Sequence, residues 1–251
     1  MINISLSPEV LFTIFGFGVT NSFFWQMVVT LLLLGMILGV MKKWQLIPNK
    51  LQVAVEMVVE WMLNSVSMMT GSRDKTKKLF PLVITLFFYI LFCNLFSLMP
   101  ALSAFSLRRE QGEVPIFRTA LADYGQVLVL TLLVVGLVQV LFITYQGIKP
   151  YMKQWFDFSS PINFVLGLMN IVGELAKALS LSFRLFGNLF AGEVLTAVMM
   201  FLAPFILPIP FTFLSMLTCV VQALVFASLA TVYLGQAMGE EKEVAVVKNK
   251  K

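Results

Sequence analysis

The 251 residues contain no histidine and only two cysteines, Cys93 and Cys219. Without histidines or clustered thiols the composition argues against a dedicated zinc or haem site, so no metal or other cofactor is expected. Both cysteines fall in apolar runs, where they read as small hydrophobes rather than as a disulfide framework. Charge is also scarce, with Asp, Glu, Lys and Arg making up 12% of the chain. No basic region precedes the first apolar stretch, so no cleaved signal peptide is expected. Nor is there an internal repeat or inverted half, which weakens a carrier of the repeat type.

What the chain has is apolar length. Hydrophobic residues make up 59% of it, the mean hydropathy is +0.90, and apolar windows of about 20 residues recur. This pattern is that of an all-α polytopic membrane protein. A transmembrane β-barrel needs short alternating segments, and these windows are continuously apolar. The net charge of +5 belongs to basic loops on one side of a membrane and does not point to nucleic acid.

Taken in order, residues 1–21 read as an exterior segment with one interfacial turn, followed by a first span at 22–41 that stops at Lys42 and Lys43. In the stretch 48–70, Glu56, Glu60 and Asn64 recur at helical spacing among apolar residues. It reads as an amphipathic helix on the membrane surface or against another subunit, with a sixth span as the rival reading. Further spans are expected at 79–99, 121–146, 165–203 and 211–238, with Pro204, Pro208 and Pro210 turning the chain between the last two and a charged tail at 239–251. The whole chain is read as one membrane domain. Thirteen of its 18 Lys and Arg then gather on one side, which by the positive-inside rule gives five spans with the N-terminus outside and the C-terminus inside.

The candidate site lies in the last two spans. Arg184 stands in the middle of a long apolar helical run, where a charge costs several kcal/mol and normally faces a water-filled path or a partner. At about 100° per residue, Asn188 lies about 40° from Arg184, and Gly173, Ser180 and Ala191 share that small, polar side. Glu193 falls on the opposite side, roughly 13 Å along the axis, and serves another compartment. Under the expected topology Glu193 is nearer the outer face, and Glu174 and Lys177 are nearer the inner one, where a local ion pair is the favoured account of those two. Ser215, Thr218, Gln222, Tyr233 and Gln236 share one side of the last helix, interrupted by Phe226 and Leu229. A short turn makes the two helices an antiparallel hairpin, longer than a slab of about 30 Å and so tilted or curved. Asp123 opens its helix, where capping and ion conduction are equally good readings. Interhelical hydrogen bonding remains an alternative for Asn188, Ser215 and Gln222.

The run SFRLFGNLFAGE (182–193), with VQALVFASLATVYLGQA (221–237) beyond it, closely resembles the paired C-terminal helices of subunit a of the rotary F-type ATP synthase. FPLVITLFFYILFCNLFSLMP (80–100) is similar to an earlier span of that family. The resemblance implies a non-catalytic stator and proton-channel subunit working against a ring of c subunits, with peripheral-stalk b subunits and the bilayer as its other partners. It implies a bacterial plasma (inner) membrane more readily than a mitochondrial one. By position, Arg184 matches the family's essential arginine, Gln222 the glutamine facing it, and Glu193 the acid of the outer half-channel. Asn188, Tyr233 and Asp123 match polar family positions. Ser215 and Ser97 stand where some relatives carry ionisable groups, and Gly125 replaces an asparagine, so the outer path here is expected to lean on Glu193, Asp123 and water. Two rival readings remain: a secondary ion-coupled transporter, which would need a substrate pocket between repeats, and a membrane scaffold with Arg184 as glue.

Overall fold

The computed structural model describes residues 10–14, 17–42, 49–97, 106–109, 112–115, 121, 123–155, 159–203, 206 and 208–239. Residues 1–9, the stops at Lys43 and Pro100, the turn residue Pro204 and most of the charged tail lie outside the described residues.

Helices make up the body of the molecule. In chain order they are α1 (Asn21–Lys42), α2 (Lys50–Thr70), α3 (Arg73–Ser97), α4 (Tyr124–Gln146), α5 (Ile148–Trp155), α6 (Pro161–Leu202) and α7 (Pro208–Ala237). Five of them, α1, α3, α4, α6 and α7, are long and apolar enough to cross a membrane. The amphipathic α2 is not among them. Two short antiparallel hairpins complete the described elements: β1 (Val10–Ile14) with β2 (Phe17–Thr20), and β3 (Ser106–Arg109) with β4 (Gly112–Pro115). The first replaces the single interfacial turn expected before α1. Its run of Val, Phe, Thr and Ile suits a pleated ribbon better than a turn.

Helix boundaries follow local chemistry. Helix α3 starts six residues before its apolar stretch, and Asp74 in its first turn complements the helix dipole. Helix α4 starts at Tyr124 because Asp123 caps it: the Gly125 amide donates to Asp123 Oδ1 at 3.1 Å. Ser160 and Pro161 open α6, with proline at the position where its fixed φ is already helical. Pro208 and Pro210, expected in the turn, instead lie in the first turn of α7, where the amide they lack has no intrahelical acceptor. The eight-residue α5, which carries Lys149 and Lys153, was not expected.

The bundle is organised around α7, which packs against α2, α3, α4 and α6. Its buried side carries Ala223, Ala227, Ala230 and Ala237 beside Phe226 and Leu234. These small side chains let neighbouring backbones come close, which is how helices associate where lipid removes the hydrophobic drive between them. Val83, Phe87 and Ile90 of α3, Val127 and Val134 of α4, and Leu181, Leu185 and Leu189 of α6 fill the same core. Helix α2 seats Met62 and Val66 in this core and leaves Glu60 and Trp61 exposed. At the C-terminal end of α7, Gln146 Nε2 donates to the Ala237 carbonyl at 3.0 Å and Lys75 Nζ donates to the Gly239 carbonyl. Two other helices thereby satisfy carbonyls that the end of α7 leaves orphaned.

Candidate functional site

At 42 residues, α6 is about 63 Å long, twice the depth of a bilayer core, so it crosses at a steep tilt. It buries Leu181, Ser182, Leu185 and Leu189, a stripe at spacings of three and four that faces the bundle. Arg184 falls about 100° away from Leu185 and is exposed. Leu179 and Phe183 of α6 are exposed near it, as are Leu217, Val220 and Val221 of α7. Among the described residues, Arg184 makes no hydrogen bond or ion pair. Among the described residues, then, this cation stands uncompensated on an apolar outer surface.

Three contacts set the register of the α6–α7 hairpin. The Lys177 ammonium lies 5.2 Å from the centre of the Tyr233 ring, and Asn188 Nδ2 donates to the Thr218 carbonyl at 3.5 Å. At the third, Gly192 meets Ser215 so closely that a Cβ on the glycine would sit 3.3 Å from Ser215 Oγ. This antiparallel register puts Gln222 at the level of Arg184. The two residues differ in environment: Gln222 is only 7% exposed and its Nε2 has no partner among the described residues. Glu193, next to Gly192, is half-buried.

Helix α4 reaches the same region from the other side. Tyr124 stacks on Phe183 with ring centres 5.3 Å apart and meets Phe186 edge-on at 5.6 Å. The head of α4 is therefore wedged against the turn of α6 that carries Arg184, and Asp123 stands beside that turn as the cap. Sequence reasoning did not single out Tyr124, Phe183 or Phe186. An aromatic pair at spacing three was visible on α6, but nothing along the chain indicated which helix would bring the third ring.

The expected Glu174–Lys177 pair forms, with Lys177 Nζ 2.9 Å from Glu174 Oε1. Gln139 of α4 also donates to Glu174 Oε2, at 3.4 Å. The arrangement therefore brings Arg184, Asn188, Gln222, Ser215 and Asp123 to one stretch of the hairpin and its neighbour. Tyr233 lies apart from them, with Glu174 and Lys177.

These features define a polytopic helical membrane protein that presents an arginine from the middle of its longest helix on the outside of a long, close-packed hairpin. Comparison with known proteins then gives the family. The model of the ATP synthase A chain family matches residues 23–235, and the chain belongs to that family. Among its relatives, ATP synthase subunit a 1 of Syntrophotalea carbinolica is 31% identical over 229 residues, covering 90% of this chain and 88% of the relative. ATP synthase subunit a of Moorella thermoacetica is 30% identical over 207 residues, covering 82% and 85%. That of Acidothermus cellulolyticus is 28% identical over 218 residues, covering 83% and 75%.

Proposed function

We propose that this chain is the non-catalytic stator subunit of an F-type ATP synthase membrane sector, conducting protons through two offset half-channels beside a ring of c subunits. Peripheral-stalk b subunits would hold it in a bacterial plasma membrane, with the N-terminus outside and the C-terminus in the cytoplasm. The observation that carries this reading is the exposure of Arg184 on an apolar face with no partner among the described residues of its own chain. A guanidinium stays charged at any working pH, and at bilayer depth it needs an opposite charge or water from outside. A membrane carboxylate on each subunit of a passing ring supplies that charge in turn.

At about 4 Å and an effective dielectric constant near 20, the attraction is about 4 kcal/mol. That favours the deprotonated carboxylate by roughly a thousandfold. As each carboxylate comes under Arg184 it gives up its proton to one half-channel, and on leaving it takes a proton from the other. The fixed cation also repels protons that would pass straight between the two paths. Glu193, Asn188, Ser215, Gln222 and Asp123 belong to the outer path on this reading, and Tyr233 to the inner. Each elementary charge moved through the membrane potential supplies about 2.3 kcal/mol per 100 mV, so several protons pass for each ATP made elsewhere in the complex.

Arg184→Ala tests the proposal. The expected result is an assembled complex whose ATP-driven proton pumping into inverted membrane vesicles is abolished. Pumping at the parental rate would refute the stator role, whereas loss of assembly would make Arg184 structural glue.

A further inference from the structure

We propose that Glu174 is the proton-exchanging group at the inner mouth of this chain's inner half-channel, held in a small polar chamber between four helices. The inference rests on the stator reading and adds to it the residue that hands protons to the cytoplasm.

A local ion pair between residues three apart on one helix needs nothing beyond Lys177. Here more is present. Glu174 accepts from Lys177 Nζ at 2.9 Å and, across to α4, from Gln139 Nε2 at 3.4 Å. The Lys177 ammonium is shared with the face of the Tyr233 ring on α7, 5.2 Å from its centre. These four residues border a cavity of about 90 Å³, to which Gln154 of α5 and Gln236 of α7 also contribute. That volume holds several water molecules, and the polar wall offers them partners. A carboxylate has about four acceptor sites, and the recorded bonds use two of Glu174's, which leaves capacity for water. Its side chain is 18% exposed and that of Lys177 is 38% exposed, so the chamber communicates with the surface.

Position fits the task. Glu174 is ten residues before Arg184, about 15 Å along α6 toward its N-terminal end. On the proposed orientation that end faces the cytoplasm. A proton released beside Arg184 has that distance to travel toward the cytoplasmic side, and a wet carboxylate at the end of it supplies the exchange site at the mouth. Glu174 takes a proton from water on the Arg184 side and gives one to water on the cytoplasmic side. The carboxylate is regenerated each time, and no other bond changes. Among the described residues that line the cavity, the other charged or titratable groups are Lys177 and Tyr233; α4 and α5 contribute the neutral Gln139 and Gln154.

The experiment uses the whole complex in inverted vesicles, where the cytoplasmic side faces the bath. E174Q keeps the shape but cannot exchange a proton, and ATP-driven pumping is expected to fall about tenfold or more. E174D is expected to retain more than half of the parental rate. In E174C, where pumping is expected to be low already for want of the carboxylate, a membrane-impermeant, negatively charged thiol reagent added to the bath is expected to label the new cysteine, while the same reagent sealed in the lumen leaves it unlabelled. The native Cys93 and Cys219 are each 3% exposed, and the parent complex gives the background. Parental pumping by E174Q, or an E174C that reacts only from the lumen or not at all, overturns the inference. If E174Q does not assemble, the sidedness of E174C labelling decides. Arg184→Ala, run alongside, separates the two levels: if it abolishes pumping while E174Q is silent, only this inference falls, and if it pumps normally, the stator reading itself falls.

Discussion

Replacing Gln222 with leucine should make the bundle more stable and the complex slower. Gln222 is 7% exposed, on the side of α7 that carries the core alanines, and its Nε2 has no hydrogen-bond partner among the described residues. A buried donor left unsatisfied costs about 1–3 kcal/mol, whereas an apolar group of similar shape carries no such penalty. Leucine is close to glutamine in size, so overpacking is small. The expected gain is about 1–2 kcal/mol. For a chain of this length that corresponds to a rise of about 2–8 °C in the midpoint of a heat ramp, read as the fraction of this chain remaining soluble in the purified complex. Proton pumping should fall several-fold in the same preparation, because the amide at the level of Arg184 is then missing from the outer path. A lower midpoint would refute the reasoning, since it would mean that water or a neighbouring subunit already satisfies Nε2 and that leucine strands that partner. A higher midpoint with unchanged pumping would remove Gln222 from the path while leaving the energetic argument intact.

Two further substitutions test other parts of the account. Gly167→Ala should loosen the docking of α5 on α6, because a Cβ at Gly167 would run into the Trp155 carbonyl oxygen and come within 3.1 Å of its carbon. A backbone contact cannot swing aside, so a loss of about 1–3 kcal/mol is expected, seen as a lower heat-ramp midpoint and faster protease cutting near residue 155; an unchanged midpoint would show that α5 shifts freely. Glu193→Gln should slow pumping several-fold without abolishing it, since water and Asp123 remain on the outer path, and an unaltered rate measured in vesicles would take Glu193 out of that path.

Much of the architecture was legible from the chain because a bilayer narrows the options. In hydrocarbon every backbone amide and carbonyl must be satisfied within its own segment, so each long apolar window can only be a helix. The five windows could therefore be counted by length alone. Arg184 was conspicuous for a related reason: one guanidinium among leucines and phenylalanines is costly wherever its helix turns. The ion pair of Glu174 with Lys177 was also local, fixed by a spacing of three. Boundaries were less readable where caps decided them. Asp123 moved the start of α4 to Tyr124, and prolines taken as turn residues proved to be first-turn residues of α7.

What linear order left open was which faces meet. Helical periodicity states the angle between Arg184 and Asn188 but not whether either side chain looks inward, because in a membrane protein lipid-facing and protein-facing surfaces are equally apolar. Only the packing of α6 on α7 leaves Arg184 on the outer surface and buries Gln222 at the same level. Only the arrival of α4 sets Tyr124 against Phe183 and Gln139 against Glu174, residues far apart along the chain whose meeting no local propensity encodes. The sequence by itself determined the number of membrane-spanning helices, their polar exceptions and the family. The tertiary structure decided which of those exceptions are enclosed and which are offered to a partner, because close approach depends on where small residues such as Ala223, Ala227 and Ala230 let one backbone come up against another.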